Sequence, residues 1–477
     1  MKQTLLLFFT LYFSLFVLTS CNDDPATPTN NGPLPVITWV MSSGRFRIQT
    51  GESIQLVPDI ENLDETSIYV WTMEGDTIGH ETYYTFMTDS VGEYFIQLTV
   101  NNRYGRVSDE VKITVVEAEN TELPEIPEHS GWQYPWSGIN VAQGRTIKVL
   151  AYVDGRQVSS VFTAAEPGTH KVVLTDEPTG QQQEFNIYVC PPAGTYRRSS
   201  EGQAMVNQIY EYMPAPGHQV NGYIITGESF PDDCTHSQAC DTVLAHFSRK
   251  WSVSLGGQGG YLIAGFDHSV PNSEMVNGKS SYDLCIKGNP FSYQSEPGII
   301  WVSQDVNGDG LPNDQWFELA GSEYGNENHT VEYAITYFRP EKKKSAVGWR
   351  DSNNDTGYIP YMSYWNPSAY YWQPWQTETR EMTFFGSRLR DRSTYNQGIS
   401  DIPPYDWGYA DNLGDLIDGP AGKMGYYRIS NARTWDGQPA NLEYIDFVKI
   451  QTAQTGSTPN LGEISTEVYY IGDSHLQ

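Results

Sequence analysis

Residues Trp301–Glu318 read WVSQDVNGDGLPNDQWFE and contain the most informative local pattern in the chain. The apolar run from Gly298 to Val302 predicts a buried strand, and Trp316 and Phe317 predict a second strand after a polar loop. A strand, a glycine-bent loop and another aromatic strand predict a β hairpin. This hairpin places the C-terminal half of the chain in a mainly β class.

The loop inside this stretch has side-chain oxygens at alternate positions, with Gly308 and Gly310 allowing a sharp bend. Hard cations such as calcium prefer this ligand type. The predicted calcium ligands are Asp305, Asn307, Asp309, the Leu311 carbonyl and Asp314, with Asn313 or Glu318 as alternatives for completing the shell. Trp316 stands where an EF-hand carries its bidentate glutamate, so a complete EF-hand is excluded. The alternative is a turn whose Asp and Asn side chains bond their own backbone.

The region around this hairpin, residues 194–477, alternates short apolar runs with long loops rich in Trp, Tyr and Gly. Such a pattern over this length predicts one large, jelly-roll-like β domain. Two short helices are predicted within it, at Ala204–Met213 and Cys240–Arg249, because apolar residues recur there at helical spacing. We expect both helices to cover the core.

Residues 34–117 alternate apolar and polar residues in short runs, the pattern of a small β-sandwich. Trp71 and the run GEYFIQLTVNNRYGRVSDEVKITVV (Gly92–Val116) resemble the polycystic-kidney-disease (PKD) type of immunoglobulin-like domain. The resemblance implies a spacer or adhesion module. Residues 125–190 contain further strand-like runs and predict a second immunoglobulin-like module. The predicted fold is therefore two N-terminal sandwiches followed by the large β domain.

The N-terminus has the pattern of a bacterial lipoprotein. Lys2 precedes an apolar run that ends in Leu18-Thr19-Ser20-Cys21, which predicts a signal peptide over residues 1–20 and lipidation of Cys21. A membrane-spanning helix is the alternative, but the run is short for that role. Residues 21–33 form a predicted tether, and Asp23 and Asp24 resemble the surface-export signal of Bacteroidetes lipoproteins. We expect an outer-membrane lipoprotein exposed at the cell surface.

The charge balance narrows the possible partners. The chain of 477 residues has 58 acidic and 29 basic side chains, a formal net charge of −29, which argues against nucleic acid and anionic membrane surfaces as partners.

Four cysteines follow Cys21, and a Cys234–Cys240 disulfide would suit an oxidising exterior. Their spacing matches no zinc site, and it leaves the pairing open.

The segment 358–375, YIPYMSYWNPSAYYWQPW, is dense in aromatic residues and is interrupted by three prolines. Prolines at this frequency exclude a continuous helix or a central strand. The rings either fill the core or stack on a flat ligand. The predicted ligand-binding residues are Tyr361, Tyr364, Trp365, Tyr370, Tyr371, Trp372 and Trp375.

Four runs of the C-terminal region together carry a second resemblance: SLGGQGGYLIAGFDHSV (254–270), EPGIIWVSQDVNGDGLPNDQWFELAGSEYG (296–325), YDWGYADN (405–412), and LEYIDFVKIQTA through LGEISTEV (442–468). They resemble the C-terminal domain of PKD-containing surface lipoproteins of gut Bacteroidetes, some of which are similar to vitamin B12-binding lipoproteins of corrinoid uptake systems. The resemblance implies cobalamin as a ligand and a TonB-dependent outer-membrane transporter as a partner.

Three other functions stay open on the residues alone. A glycan-binding lipoprotein of a polysaccharide-uptake system would use the same Trp and Tyr residues, together with calcium. A glycoside hydrolase would need a pair of carboxylates at a suitable separation, and the sequence offers no such pair. We therefore expect a binding protein rather than an enzyme. A purely adhesive role would place all binding on the N-terminal modules.

Overall fold

The computed structural model describes most of the chain from Gly32 onward. The described residues are 32–39, 45–116, 123–128, 132–133, 138–191, 196–197, 202–220, 230–273, 275–276, 279–280, 282–291, 293–342, 345–362, 372–376, 379–396, 399–415, 423–458 and 461–476. The predicted signal peptide, tether and lipidated Cys21 lie outside these ranges.

The N-terminal domain is a β-sandwich built around Trp71. Its strands are β1 (Val36–Thr38), β2 (Arg45–Gln49), β3 (Ser53–Leu56), β4 (Asp59–Glu61), β5 (Ile68–Met73), β6 (Asp76–Gly79), β7 (Tyr84–Met87), β8 (Gly92–Asn102) and β9 (Gly105–Val116). They form a five-stranded sheet in the order β2-β9-β8-β5-β6 and the pairs β1-β4 and β3-β7. Trp71 is fully buried on β5, and its indole N–H donates to the Glu81 carbonyl at 2.8 Å. The predicted central Trp strand is confirmed.

The second module is a smaller sandwich of two three-stranded sheets, as predicted. Its strands are β10 (Trp132–Gln133), β11 (Ile139–Ala142), β12 (Thr146–Val153), β13 (Arg156–Thr163), β14 (Gly168–Asp176) and β15 (Gln181–Cys190). The sheet orders are β10-β12-β13 and β11-β15-β14, and β11 runs parallel to β15. Alternate buried positions such as Val172 and Leu174 on β14 fill the space between the sheets. Strand β11 lies at the edge of its sheet, so its outer side can pair with a further strand.

The C-terminal region is also β-rich. Its first elements are β16 (Gln208–Met213), α1 (His236–Arg249), β17 (Val253–Ser254), β18 (Tyr261–Pro271), β19 (Met275–Val276), β20 (Lys279–Ser280), β21 (Leu284–Lys287), β22 (Gly298–Ser303), β23 (Trp316–Leu319), β24 (His329–Phe338), β25 (Val347–Asp351), β26 (Thr356–Ile359) and β27 (Glu381–Leu389). The remaining strands are β28 (Thr394–Asn396), β29 (Ile399–Asp401), β30 (Met424–Tyr427), β31 (Ala432–Arg433), β32 (Tyr444–Thr452), β33 (Ser457–Thr458), β34 (Gly462–Glu463), β35 (Glu467–Val468) and β36 (Tyr470–Asp473). Short 3-10 helices lie at Pro374–Gln376, Leu413–Asp415, Ile429–Asn431 and Ser474–Leu476.

Two sheets dominate this region. A six-stranded sheet has the order β16-β18-β32-β22-β23-β31, and a four-stranded sheet has the order β26-β25-β24-β27. Strands β22 and β23 pair antiparallel, with Trp301 opposite Glu318 and Ser303 opposite Trp316. The hairpin predicted from 301–318 is confirmed. Strands β32 and β22 are the central pair of the larger sheet, so the acidic loop begins at the end of a central strand.

One predicted helix is confirmed and the other is wrong. Helix α1 begins at His236 and covers the larger sheet with Ala239, Val243 and Phe247. Residues 208–213 form β16, which pairs with β18 as an edge strand of the six-stranded sheet. The apolar spacing at 204–213 suited a helix locally, but pairing with β18 satisfies the backbone hydrogen bonds of this segment instead.

The second module lies directly against the C-terminal domain. The Tyr152 ring stacks on Phe385 with centroids 6.0 Å apart, and its hydroxyl donates to the backbone carbonyl of Glu332. The Arg145 guanidinium lies 5.3 Å from the Phe317 ring and donates to the Ala440 carbonyl at 2.8 Å. These contacts fix the orientation of the module.

No disulfide joins any pair of the described cysteines, so the expected Cys234–Cys240 bridge is absent from this structure. Burial raises the pKa of the Cys240 thiol to about 11 and raises that of Cys234 as well.

Among the described residues, no helix has the length and apolar character needed to cross a membrane.

Candidate functional site

The described rings of the aromatic segment pack into the domain. Trp372 is 4% exposed, and its indole N–H donates to the Gln376 carbonyl at 2.9 Å. Trp375 is half-buried, with its ring centroid 5.0 Å from that of Phe230. Tyr361 is half-buried against the core of the four-stranded sheet. These rings contribute to packing, and Trp372 has almost no surface left for a ligand.

The other predicted ligand-binding residues of this segment, Tyr364, Trp365, Tyr370 and Tyr371, lie outside the described residues. Their role stays a prediction.

A cleft of about 500 Å³ lies between the second module and the C-terminal domain. Its walls are rich in aromatic rings, and none of the described rings of the 358–375 segment is among them. The aromatic residues that line it are Tyr261, Trp301, Trp316, Tyr324, Tyr333, Phe385 and Trp435. Its position follows from the docking of the module, since Ile139, Ile147 and Leu150 form the opposite wall. Interdomain clefts with aromatic walls are common sites for small ligands.

Three of the acidic side chains that line the cleft, those of Glu211, Glu318 and Glu332, have partners within the protein. Glu211 accepts the Tyr261 hydroxyl at 2.6 Å, and Glu318 lies 2.7 Å from Nε2 of His329. Glu332 pairs with Lys148 across the domain boundary. These carboxylates are therefore held in place by the protein itself.

The two other cations of the cleft form no ion pair with a described carboxylate. Lys449 lies on β32 with its ammonium 4.4 Å from the Tyr261 ring centroid and 5.8 Å from that of Trp301. Burial lowers its pKa to about 8, and the partial attraction of Glu211 opposes this shift. Arg433 donates from Nη1 to the backbone carbonyls of Ser430 and Ala432. A desolvated ammonium beside aromatic faces favours a ligand that combines a flat surface with an anionic or strongly polar group.

The acidic loop between β22 and β23 borders the same cleft. Both carboxylate oxygens of Asp305 accept backbone N–H groups, from Asp309 at 3.1 Å and from Gly310 at 3.0 Å. The Asp309 carboxylate accepts the Leu311 N–H at 2.9 Å and the side-chain amide of Asn307 at 2.8 Å. The turn is thus closed by its own side chains, as the alternative to a calcium loop predicted. Such bonds occupy only part of the oxygen lone pairs, so the closed turn still has acceptor sites for a cation.

Asp314 is the exception within the loop. It is 1% exposed, and neither of its carboxylate oxygens accepts a hydrogen bond of ordinary geometry from a described residue. Burial and the charges of Asp305 and Asp309 raise its pKa to about 8, and the nearby Val306 N–H offsets little of this. Asp314 is therefore a buried carboxylate whose charge has no compensating group among these neighbours.

A third group of acidic side chains was not predicted from the sequence. Oxygens of Glu296, Asp411 and Glu467 lie within 4.8 Å of one another, and Asp411 and Glu467 are 3% exposed. Burial raises the pKa of all three, that of Glu296 to about 8. More than a hundred residues separate Glu296 from the other two, so no local pattern could have predicted this cluster.

The cleft itself left one signal in the sequence. Lys449 and Asp446 are the two charged residues of the central strand β32, and Lys449 lies directly opposite Trp301 in the sheet register. A charge in a central strand costs free energy unless it has a function or a partner. Asp446 pairs with Arg197, whereas Lys449 forms no ion pair with a described carboxylate.

Residues 34–102 match the family model described as a PKD-like domain. No curated protein matches the sequence. Among solved structures, the PKD domain of human KIAA0319 is 16% identical; the match covers 22% of this chain and all of that one, with a TM-score of 0.18. The fibronectin(III)-like modules of Clostridium thermocellum CbhA are 12% identical, with 34% of this chain and 100% of that chain covered and a TM-score of 0.17. The titin domains z1z2 are 14% identical, with 34% and 98% covered and a TM-score of 0.15. Because these TM-scores are too low to carry an argument, the identification rests on the family match: the chain contains an N-terminal PKD-like domain.

Proposed function

We propose that the protein is a lipid-anchored surface receptor that binds cobalamin or a related corrinoid and supports its uptake through an outer-membrane transporter. The observation that carries the proposal is the interdomain cleft, in which the Lys449 ammonium lies beside the Tyr261 and Trp301 rings and forms no ion pair with a described carboxylate. The resemblance of the C-terminal region to corrinoid-binding lipoproteins points to the same ligand class. The role is one of binding without catalysis.

The chemistry of a corrinoid fits these walls. Its macrocycle offers a broad flat face to rings such as Trp316 and Trp435, and its peripheral amides can donate hydrogen bonds to the carboxylates. The phosphate of the cobalamin nucleotide loop would meet Lys449 and Arg433. A cleft of about 500 Å³ takes in part of so large a ligand.

The anchor and the partner follow from the same proposal. Cys21 would carry the lipid, and residues 21–33 would hold the modules away from the outer membrane. A TonB-dependent transporter would receive the ligand at the cell surface. With a net charge of −29, the chain would stay clear of anionic lipid headgroups.

The test is a titration of the tag-free chain, starting after Cys21, with cyanocobalamin, followed by tryptophan fluorescence and by red colour co-eluting on gel filtration. We expect Lys449→Met and Trp316→Ala each to weaken binding about tenfold, which corresponds to about 1.4 kcal/mol. Trp407→Ala is the matched control, since Trp407 is 47% exposed and lies away from the cleft lining. A colourless protein peak from the unmodified chain would end the proposal.

A glycan is the second candidate ligand. The observation in its favour is the set of fixed carboxylates, Glu211, Glu318 and Glu332, beside the 38% exposed ring of Trp435. Carboxylate acceptors next to a ring face suit sugar hydroxyls and sugar faces. Screening the same chain and variants on a glycan array separates the candidates: a glycan that binds through Trp435, without cobalamin binding, would replace the first proposal.

A further inference from the structure

We infer that the acidic loop binds a calcium ion, and that this ion fastens the second module to the C-terminal domain. The inference does not depend on what the cleft binds. It rests on two independent features: the buried, unpartnered carboxylate of Asp314, and the backbone pairing of its neighbours with β11.

The loop collects more negative charge than its surroundings balance. Asp305 accepts the Asp309 N–H at 3.1 Å, and the Asp305 N–H donates at 2.9 Å to Asp446, which is fully buried. Asp314 is buried in the same loop. Among the described residues, Arg197 is the one cation that forms an ion pair with this group, through Asp446 at 3.1 Å. Burying a carboxylate without a partner is unfavourable, so a bound cation would relieve that cost.

The ligand chemistry favours calcium. Carboxylates, the Asn307 amide and backbone carbonyls are oxygen donors, the kind that Ca²⁺ takes in sets of six to eight. Structural zinc sites, by contrast, are built mainly from Cys and His ligands.

The same loop extends a sheet of the second module. The Asn140 N–H donates to the Asn313 carbonyl at 3.1 Å, and the Gln315 N–H donates to the Asn140 carbonyl at 3.1 Å. Asp314 thus pairs with Asn140 in a parallel bridge at the open edge of β11. The side-chain amide nitrogen of Asn140 also donates to the side-chain oxygen of Asn313, and the side-chain nitrogen of Asn313 donates to Asp309 at 3.0 Å.

This arrangement couples the ion to the domain boundary. Residues 313–315 bond to β11 through their backbone, and the Asn313 side chain also bonds to Asp309 within the loop. A cation bound at the Asp314 carboxylate would offset the cost of burying that group without a partner. Binding would therefore favour the state in which residues 313–315 pair with β11.

Two measurements on the full mature chain test the inference after removal of divalent cations with a chelator. Calorimetric titration with CaCl₂ should show a binding event that is lost in Asp314→Asn. Hydrogen exchange should show the amides of Asn140 and Gln315 exchanging at least tenfold more slowly with calcium than without it. The amides of Val172 and Phe185, on paired strands of the same module, should not change.

Asp309→Ala is the second loop variant, because its exposed side chain can be removed with less risk to folding. Asp241→Asn, at an exposed position of α1, is the matched control and should bind calcium like the unmodified chain. Absence of calcium binding by the folded, chelated chain would overturn the whole inference. Binding without any change in the exchange of Asn140 and Gln315 would overturn the fastening of the module.

Discussion

At the scale of single residues, the cluster of Glu296, Asp411 and Glu467 has the clearest consequence for pH dependence. The Asp411 carboxylate accepts the Glu467 N–H at 2.9 Å, and Glu296 accepts the Ser465 N–H at 3.1 Å. These bonds favour the charged forms, but burial opposes them and raises each pKa. The folded protein therefore holds protons here that the unfolded chain would release.

We predict that Glu296→Gln stabilises the protein at pH 8 and has little effect at pH 4. The pKa of Glu296 is raised from 4.5 to about 8, so its contribution to the free energy of unfolding is present below pH 4.5 and is lost as the pH rises through 8. The neutral amide removes this penalty, a gain of about 2 kcal/mol at pH 8 after allowance for relaxation of the site. Urea unfolding at the two pH values measures it. Glu443→Gln, at an exposed position, is the control, and a variant less stable than the unmodified chain at pH 8 would contradict the prediction.

At the scale of elements, local end signals determine α1, whereas pairing with a distant strand determines β16. Helix α1 has a capping box, in which Thr235 accepts the Gln238 N–H and its own N–H donates to the Gln238 side chain at 2.9 Å. Its other end closes at Lys250 with a φ of 60°. Such end signals are local. The predicted end of the helix at Arg249 is confirmed, but the helix begins at His236 rather than at Cys240. Segment 208–213, in contrast, pairs with β18.

We predict that Thr235→Ala lowers the free energy of unfolding by about 1 kcal/mol, the usual contribution of an N-cap side chain. The loss should appear as a shift in the midpoint of urea unfolding, with an unchanged slope. Ser237→Ala, at an exposed position two residues later, should leave the midpoint unchanged. Equal shifts in both variants would mean that the cap contributes nothing specific.

At the scale of the whole molecule, the docking of the second module decides where the cleft and the loop contact lie. Tyr152 is 3% exposed between the module and the four-stranded sheet, close to Leu150 and Ala334. The PKD-like domain also touches the C-terminal region, through Asp59 and Lys423 at 3.5 Å and through the rings of Tyr83 and Tyr293. The modules therefore form a packed assembly rather than a freely jointed stalk.

We predict that Tyr152→Ala uncouples the second module, with a loss of about 3 kcal/mol from the removed ring. Scanning calorimetry should then resolve a separate transition for the module at lower temperature. Tyr152→Phe keeps the stacking on Phe385 and removes only the hydroxyl bond to Glu332, so its loss should be about 1 kcal/mol. A single unchanged transition in Tyr152→Ala would show that the interface does not depend on this ring.

The sequence by itself determined the β class, the PKD-like alternation around Trp71, the hairpin at 301–318 and the helix that ends at Arg249, because each depends on residues close together in the chain. Only the tertiary structure decided the rest. The cleft needs the second module beside Trp301 and Lys449, the burial of Asp314 needs Asn140, and the carboxylate cluster joins Glu296 to residues more than a hundred positions away. Burial, and with it the pKa of a carboxylate or an ammonium, depends on everything packed around a group. Local patterns therefore predicted which oxygens and rings are present, and the packing of the modules decided which of them line the cleft.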